Sequence, residues 1–129
     1  MSIQQKTSIL ILDDEPIVLK RLKPTLEKNN FEVEVFFESA GALQRTRERE
    51  FDIIITDLKM EGADGMEFLS DVKKRSPRTE IIVITGFATP DTAKECFEKG
   101  VFDFLAKPFR LNSILETIKR AEEKLKGAD

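Results

Sequence analysis

The sequence predicts an α/β fold in which a five-stranded parallel sheet is covered by helices on both faces. Short apolar segments alternate with helical ones along all 129 residues. Three of those segments, SILIL, FDIIIT and EIIVIT, are almost continuously apolar, as strands covered on both faces are. Repeated strand–helix–strand units imply right-handed crossovers and hence a parallel sheet.

The expected strands are Ser8–Leu12, Phe31–Phe36, Phe51–Thr56, Glu80–Thr85 and Val101–Leu105. Segments two and five are less uniformly apolar. FEVEVF sets Glu32 and Glu34 against Phe31, Val33 and Val35, and VFDFL is interrupted by Asp103. Both suit sheet edges, so strands one, three and four are central and the order is 2-1-3-4-5. This is the flavodoxin-like doubly wound (βα)5 arrangement. Its winding reverses between strands one and three, opening a crevice at their carboxyl ends where a ligand should sit.

The helices carry matching signals. Pro16 suits the first turn of helix one, whereas Pro24 should kink or break it. Ser39 can cap helix two, Thr89-Pro90-Asp91 opens helix four, and Gly100 closes it. Helix five shows an apolar stripe through Leu111, Ile114, Leu115, Ile118, Ala121 and Leu125. Phe31, Phe36, Phe51 and Phe68 belong to the core. Cys96 should lie buried beside Ala93 and Phe97 on one face of helix four. The Arg45, Arg47, Arg49 and Lys73–Arg75 runs suit solvated helix faces.

Composition narrows the chemistry. The chain has 21 Lys+Arg against 24 Asp+Glu, a net charge of −3, and no histidine. Ser–His and Cys–His couples and His-ligated metals are therefore excluded. The charge balance offers no electrostatic reason for nucleic-acid binding. The longest apolar runs are the four residues of Ile9–Leu12 and of Ile81–Ile84, far short of the roughly 20 that span a bilayer. No signal-peptide pattern opens the chain, and its single cysteine cannot form an internal disulfide. A cytoplasmic location is expected.

Chemistry-bearing residues stand at the ends of four expected strands. Strand one runs into Asp13-Asp14, strand three into Asp57, strand four into Thr85-Gly86, and strand five into Lys107-Pro108. Singly, each has an ordinary use as a cap, turn or surface residue. Together, three carboxylates would converge on the crevice. At about 4 Å and an effective dielectric of 20, each like-charged pair costs on the order of 4 kcal/mol. A hard divalent cation relieves that repulsion, and oxygen-only ligands point to Mg²⁺ rather than zinc. A carboxylate beside Mg²⁺, lysine and threonine is equipped to accept a phosphoryl group as an acyl phosphate.

Four motifs, LDDEP, TDLKMEGADGMEFL, VITG and DFLAKPF, stand in that order after strands one, three, four and five. With them the sequence resembles the receiver domain of bacterial two-component response regulators over nearly its whole length. The resemblance implies Asp57 as phosphoacceptor, with Asp14 directly and Asp13 through water holding Mg²⁺ alongside Asp57. Lys59 would contribute its backbone carbonyl to the metal, and Thr85 and Lys107 would contact the phosphoryl group. A cis Lys107–Pro108 bond is implied as well. The implied switch moves Thr85 toward the phosphoryl oxygens while Phe104 turns inward, changing the face built from helix four, strand five and helix five. Phe104 could equally be a static core residue, and the sequence leaves both open.

Two positions depart from the family pattern. Glu61 replaces the usual proline four residues after the phosphoacceptor. Phe87, two residues after Thr85, places an apolar ring where it could shield an acyl phosphate, so slow autodephosphorylation is expected.

The implied phosphodonor is a sensor histidine kinase or phosphotransfer protein, and a homodimer through helix four, strand five and helix five is possible. The domain should catalyse only its own phosphorylation and dephosphorylation. A haloacid-dehalogenase-type phosphatase would need a second aspartate where Lys59 stands. Flavin binding is disfavoured by Asp13-Asp14 and the missing Ser/Thr-rich loop, and Gly62-Ala63-Asp64-Gly65 suits a strand–helix loop rather than a P-loop. The alternative from another class is a receiver-like interaction module that is never phosphorylated. Residues 1–129 are expected to form one receiver domain, with a core over about 7–125 and no output domain in this chain. It is either a single-domain regulator or a receiver excised from a longer protein. The likeness of TDLKMEGADGMEFL and GVFDFLAKPF to nitrogen-regulatory activators favours excision.

Overall fold

The computed structural model describes residues 6–60 and 63–127. Five strands, β1 (Ser8–Leu12), β2 (Glu32–Phe36), β3 (Ile53–Thr56), β4 (Glu80–Thr85) and β5 (Asp103–Ala106), form one parallel sheet in the order 2-1-3-4-5. Five helices alternate with them: α1 (Pro16–Lys28), α2 (Ser39–Glu48), α3 (Gly65–Arg75), α4 (Pro90–Glu98) and α5 (Leu111–Gly127). The expected fold class and strand order are both observed. Among the described residues no helix is long and apolar enough to cross a membrane.

Period-two alternation sends each central strand's side chains to two cores. Ile9, Ile11, Ile53, Ile55, Ile82 and Ile84 face α1 and α5. Leu10, Leu12, Ile54, Ile81 and Val83 face the opposite layer with Phe68, Leu69, Val72 and Cys96. All eleven strand residues are at most 2% exposed, and each contributes roughly 1.5–3 kcal/mol of transfer free energy.

Three strands begin one or two residues later than expected. Phe31 is buried, but its N–H bonds Leu26 O and closes α1. Val101 does the same for α4, donating to Cys96 O, with Gly100 at φ +92° making the turn. Phe51 is buried outside the ladder, its carbonyl accepting from Thr79 Oγ1 at 2.7 Å. Burial, not strand pairing, explains these apolar residues.

Two helix signals differ from expectation. α1 continues through Pro24 to Lys28, held on the sheet by the buried Leu22 and Leu26 on either side of it. Ser39 is the first residue of α2 rather than its cap; Glu38 takes the cap position without a side-chain bond. Thr89 does cap α4, in a reciprocal pair with Thr92.

Of the arginines expected to be solvated, Arg47 is exposed, whereas Arg45 and Arg49 are engaged. Arg45 grips Glu34 with two N–H groups at 2.7 and 2.9 Å, and Arg49 grips Glu32 at 2.6 and 3.1 Å. Both lie over the Phe51 ring, covering the outer face of edge strand β2. These contacts hold the Glu34 and Glu32 carboxyls below their ordinary range. Lys73 is partly buried, donating to Pro77 O and Thr79 O, and burial lowers its ammonium below the usual lysine value. Phe97 is exposed rather than sharing the burial of Cys96. Glu80, at the start of an otherwise apolar strand, is buried and paired with Lys124 at 3.0 Å.

Candidate functional site

Sheet register assembles the site. Leu12 pairs with Thr56, and Thr85 pairs with Ala106. Each ladder then extends one bond past its strand: Asp13 N–H to Phe36 O (3.1 Å), Asp57 N–H to Leu12 O (3.1 Å) and Lys107 N–H to Thr85 O (2.9 Å). The backbones of Asp13, Asp57 and Lys107 are thereby fixed at the carboxyl edge, on both sides of the point where the winding reverses. The Lys107–Pro108 bond is cis, as the resemblance implied.

The Lys107 ammonium lies 2.8 Å from Asp13 Oδ2, 2.5 Å from Glu15 Oε1 and 2.8 Å from Asp57 Oδ2. An ammonium has three N–H donors, so each can serve one carboxylate. The remaining oxygens are held by backbone: Asp13 Oδ1 accepts from Glu15 N–H at 2.9 Å, and Asp57 Oδ1 from Leu58 N–H at 2.6 Å. Asp13 and Asp57 are buried, whereas the Glu15 side chain is 54% exposed.

Burial dominates the protonation of Asp13, pushing its carboxyl above the ordinary aspartate value against the pull of Lys107 and the Glu15 amide. For Lys107, burial works against the charge, but bonds to Asp13, Asp57 and Glu15 together hold the ammonium well above the usual lysine range. The lysine is thus a fixed positive charge.

Gly65 brings the start of α3 against the site. A Cβ there would lie 2.1 Å from Asp57 O and 2.8 Å from Leu58 Cα, while the Gly65 N–H bonds Leu58 O at 2.9 Å. Only glycine permits this approach. Ahead of it, Lys59–Met60 pairs antiparallel with Ala63–Asp64, so part of the expected loop is a short ribbon. Glu61 and Gly62 lie outside the described residues.

Thr85 is wholly buried, its Oγ1 accepting from Phe87 N–H at 3.1 Å. The Phe87 residue is 56% exposed. Phe104 is half-buried and packs against the core cluster that includes Val83 and Cys96. Asp14 follows Asp13 and is half-buried.

Asp13, Glu15 and Asp57 can each offer one carboxylate oxygen, all within 4.8 Å of one another. A donor set made only of hard oxygens suits Mg²⁺, and the residues present fit that ion. Asp14 stands outside this trio. Glu15 was not anticipated as a site residue. Its signal was local: glutamate stands at the N-cap of α1, where Ser, Thr, Asp or Asn is favoured.

A family model described as response regulator receiver domain matches residues 9–119. The transcriptional regulatory protein ZraR of Salmonella typhimurium is 30% identical over 92% of this chain and 27% of its own length. A putative NtrX-like response regulator of Rickettsia typhi is 32% identical over 89% of this chain and 25% of its own. This chain therefore spans about a quarter of the length of such curated relatives. Among solved structures, the beryllofluoride-activated NtrC4 receiver domain dimer is 34% identical, with a TM-score of 0.87 over 92% of this chain and 98% of that one. A CheY-like receiver domain protein from Methanospirillum hungatei JF-1 superposes at 0.93 with 26% identity, over 97% of this chain and 100% of that one. The relatives include nitrogen-regulatory proteins, the class that the motifs resemble.

Proposed function

The chain belongs to the response regulator receiver domain family, and from that premise we propose that Asp57 accepts a phosphoryl group from a histidine of a partner sensor kinase or phosphotransfer protein. The Lys107 ammonium bridging the buried Asp13 and Asp57 carboxylates supports this reading most. It supplies a fixed positive charge beside a nucleophile. An Asp57 carboxylate oxygen attacks phosphorus, the phosphorus–nitrogen bond breaks, and its electron pair returns to the donor imidazole. Lys107 then donates to a phosphoryl oxygen, and the Leu58 amide keeps the carboxylate oriented. Of the clustered carboxylates, Asp13 and Asp57, joined by Asp14 and the Lys59 carbonyl as the family resemblance implies, would hold Mg²⁺, which when bound would supply further positive charge against the phosphoryl oxygens.

The Thr85 hydroxyl, now bonded by the Phe87 amide, turns to the phosphoryl group, and Phe104 follows inward. The face formed by α4, β5 and α5 thereby changes between two packings. That face controls an output domain or a second copy of the chain, and the domain works in the cytoplasm. It catalyses no reaction beyond its own phosphorylation and dephosphorylation.

Intact mass after incubation with acetyl phosphate and Mg²⁺ tests the reading. Wild type should gain one phosphate and Asp57→Ala none; an unmodified wild type refutes it. Beryllofluoride with Mg²⁺ separates this reading from a never-phosphorylated module, which would show no Asp57-dependent change in amide resonances.

A further inference from the structure

Glu15 occupies the N-cap of α1 with extended backbone (φ −92°, ψ 107°) and makes no capping bond. An aspartate or serine there would serve the helix better. The longer side chain instead reaches across to the segment after β5 and meets the Lys107 ammonium at 2.5 Å. A local rule is broken at the point where a contact to the site is gained.

The Lys107 ammonium donates to Glu15 Oε1 and Asp57 Oδ2 and is ion-paired with Asp13 Oδ2 at 2.8 Å, so carboxylates surround its charge. A phosphoryl oxygen that takes up this charge competes with one of these partners. The Asp13 side chain is 3% exposed and is anchored at its other oxygen by the Glu15 amide. Asp57 is the nucleophile itself. Glu15 alone of the three is half in water, where its carboxylate is readily resolvated.

We propose that Glu15 is a positioning residue that holds Lys107 over the unphosphorylated site and releases it to the incoming phosphoryl group. The inference rests on the phosphoacceptor reading. Glu15 competes with the phosphoryl oxygen for one N–H and also opposes the approaching anion with its own charge. The resting site is thereby kept closed to weak anions, and removing the carboxylate favours the anion-bound state. For a half-exposed ion pair the effect is about 1.5- to fivefold in affinity.

The test titrates beryllofluoride, a phosphoryl mimic, at saturating Mg²⁺ into wild type, Glu15→Gln and Glu15→Asp. Amide resonances report anion binding, and the Lys107 ammonium resonance is recorded before any anion is added. Glu15→Gln should bind about 1.5- to fivefold tighter, with a shifted Lys107 signal that exchanges faster with water. Glu15→Asp keeps the charge but is one methylene shorter. It should show the same Lys107 change and bind more tightly than wild type. A merely structural cap would leave the Lys107 signal unmoved. Unchanged or weaker binding by Glu15→Gln overturns the proposal, as does a Glu15→Asp variant identical to wild type in both measurements. A wild type that shows no response to beryllofluoride overturns the phosphoacceptor reading and the Glu15 role with it, a pattern distinct from failure of the Glu15 role alone.

Discussion

Lys107→Met removes the ammonium while keeping most of the aliphatic stem, and it probes how much the site depends on one charge. At 2.8 Å and an effective dielectric of 20, attraction to Asp13 or to Asp57 is about 6 kcal/mol each before desolvation. Carboxylate oxygens no more than 4.8 Å apart repel by at least about 3 kcal/mol on the same basis. Most of the attraction offsets the burial of the charges, so the net loss on breaking such a site is about 3–5 kcal/mol. The Glu15 contact, half in solvent, adds little. A domain of ordinary stability survives this loss, so urea unfolding can measure it. The sign with pH follows from Asp13. Burial raises its folded carboxyl above the unfolded value, so protonation favours the folded state and the ionised form opposes it. The deficit of Lys107→Met should therefore be full near pH 8 and shrink as pH falls toward about 5. Mg²⁺ should restore part of it near pH 8 by binding only the folded state. A variant with the wild-type urea midpoint at both pH values would refute the reasoning, because the carboxylates would then need no counter-charge.

Gly65→Ala forces a Cβ onto the Asp57 carbonyl at 2.1 Å, so it should destabilise by about 1–3 kcal/mol or more and slow phosphoryl capture; urea unfolding and intact mass check both. Burial pushes the Cys96 thiol up to about 11, and its side chain is fully covered. Near pH 8 it should react with a disulfide reagent only through opening of the fold, at a rate rising with urea. Phe87→Asn should shorten the phosphorylated half-life if the exposed ring beside Thr85 shields the acyl phosphate; an unchanged decay of incorporated phosphate removes that role.

The strand order was legible because it depends on a contrast the sequence displays, between segments covered on both faces and segments interrupted by Glu32, Glu34 and Asp103. The row of Asp13, Asp57, Thr85 and Lys107 was legible for a related reason: parallel strands in register deliver whatever follows them to one edge. Side-chain contacts between different elements were not. Arg45 and Arg49 looked like a solvated run until Glu34 and Glu32 of β2 lay beneath them. Glu80 broke an apolar strand without a visible partner until α5 brought Lys124 to it. Phe31, Phe51 and Val101 were placed in strands because apolar residues signal burial, which turn residues share. Glu15 fell between the two kinds of signal. Its neighbour Asp14 carries the family motif, while its partner Lys107 is far along the chain.

The same edge also explains why function opposes stability here. The described site sets one ammonium among Asp13, Glu15 and Asp57, with Asp14 adjoining, so anionic charge exceeds cationic charge in a largely buried row. A hydrophobic replacement of such a group is often stabilising. The fold tolerates the excess because the central strands that carry the site are covered on both faces by two apolar cores. What remains is a site whose repulsion is relieved by added positive charge and whose lysine is already shared out. Under the proposed phosphoacceptor reading, a phosphoryl group arriving at Asp57 meets a lysine whose ion pairs it must compete with and a Thr85 hydroxyl already engaged by the Phe87 amide.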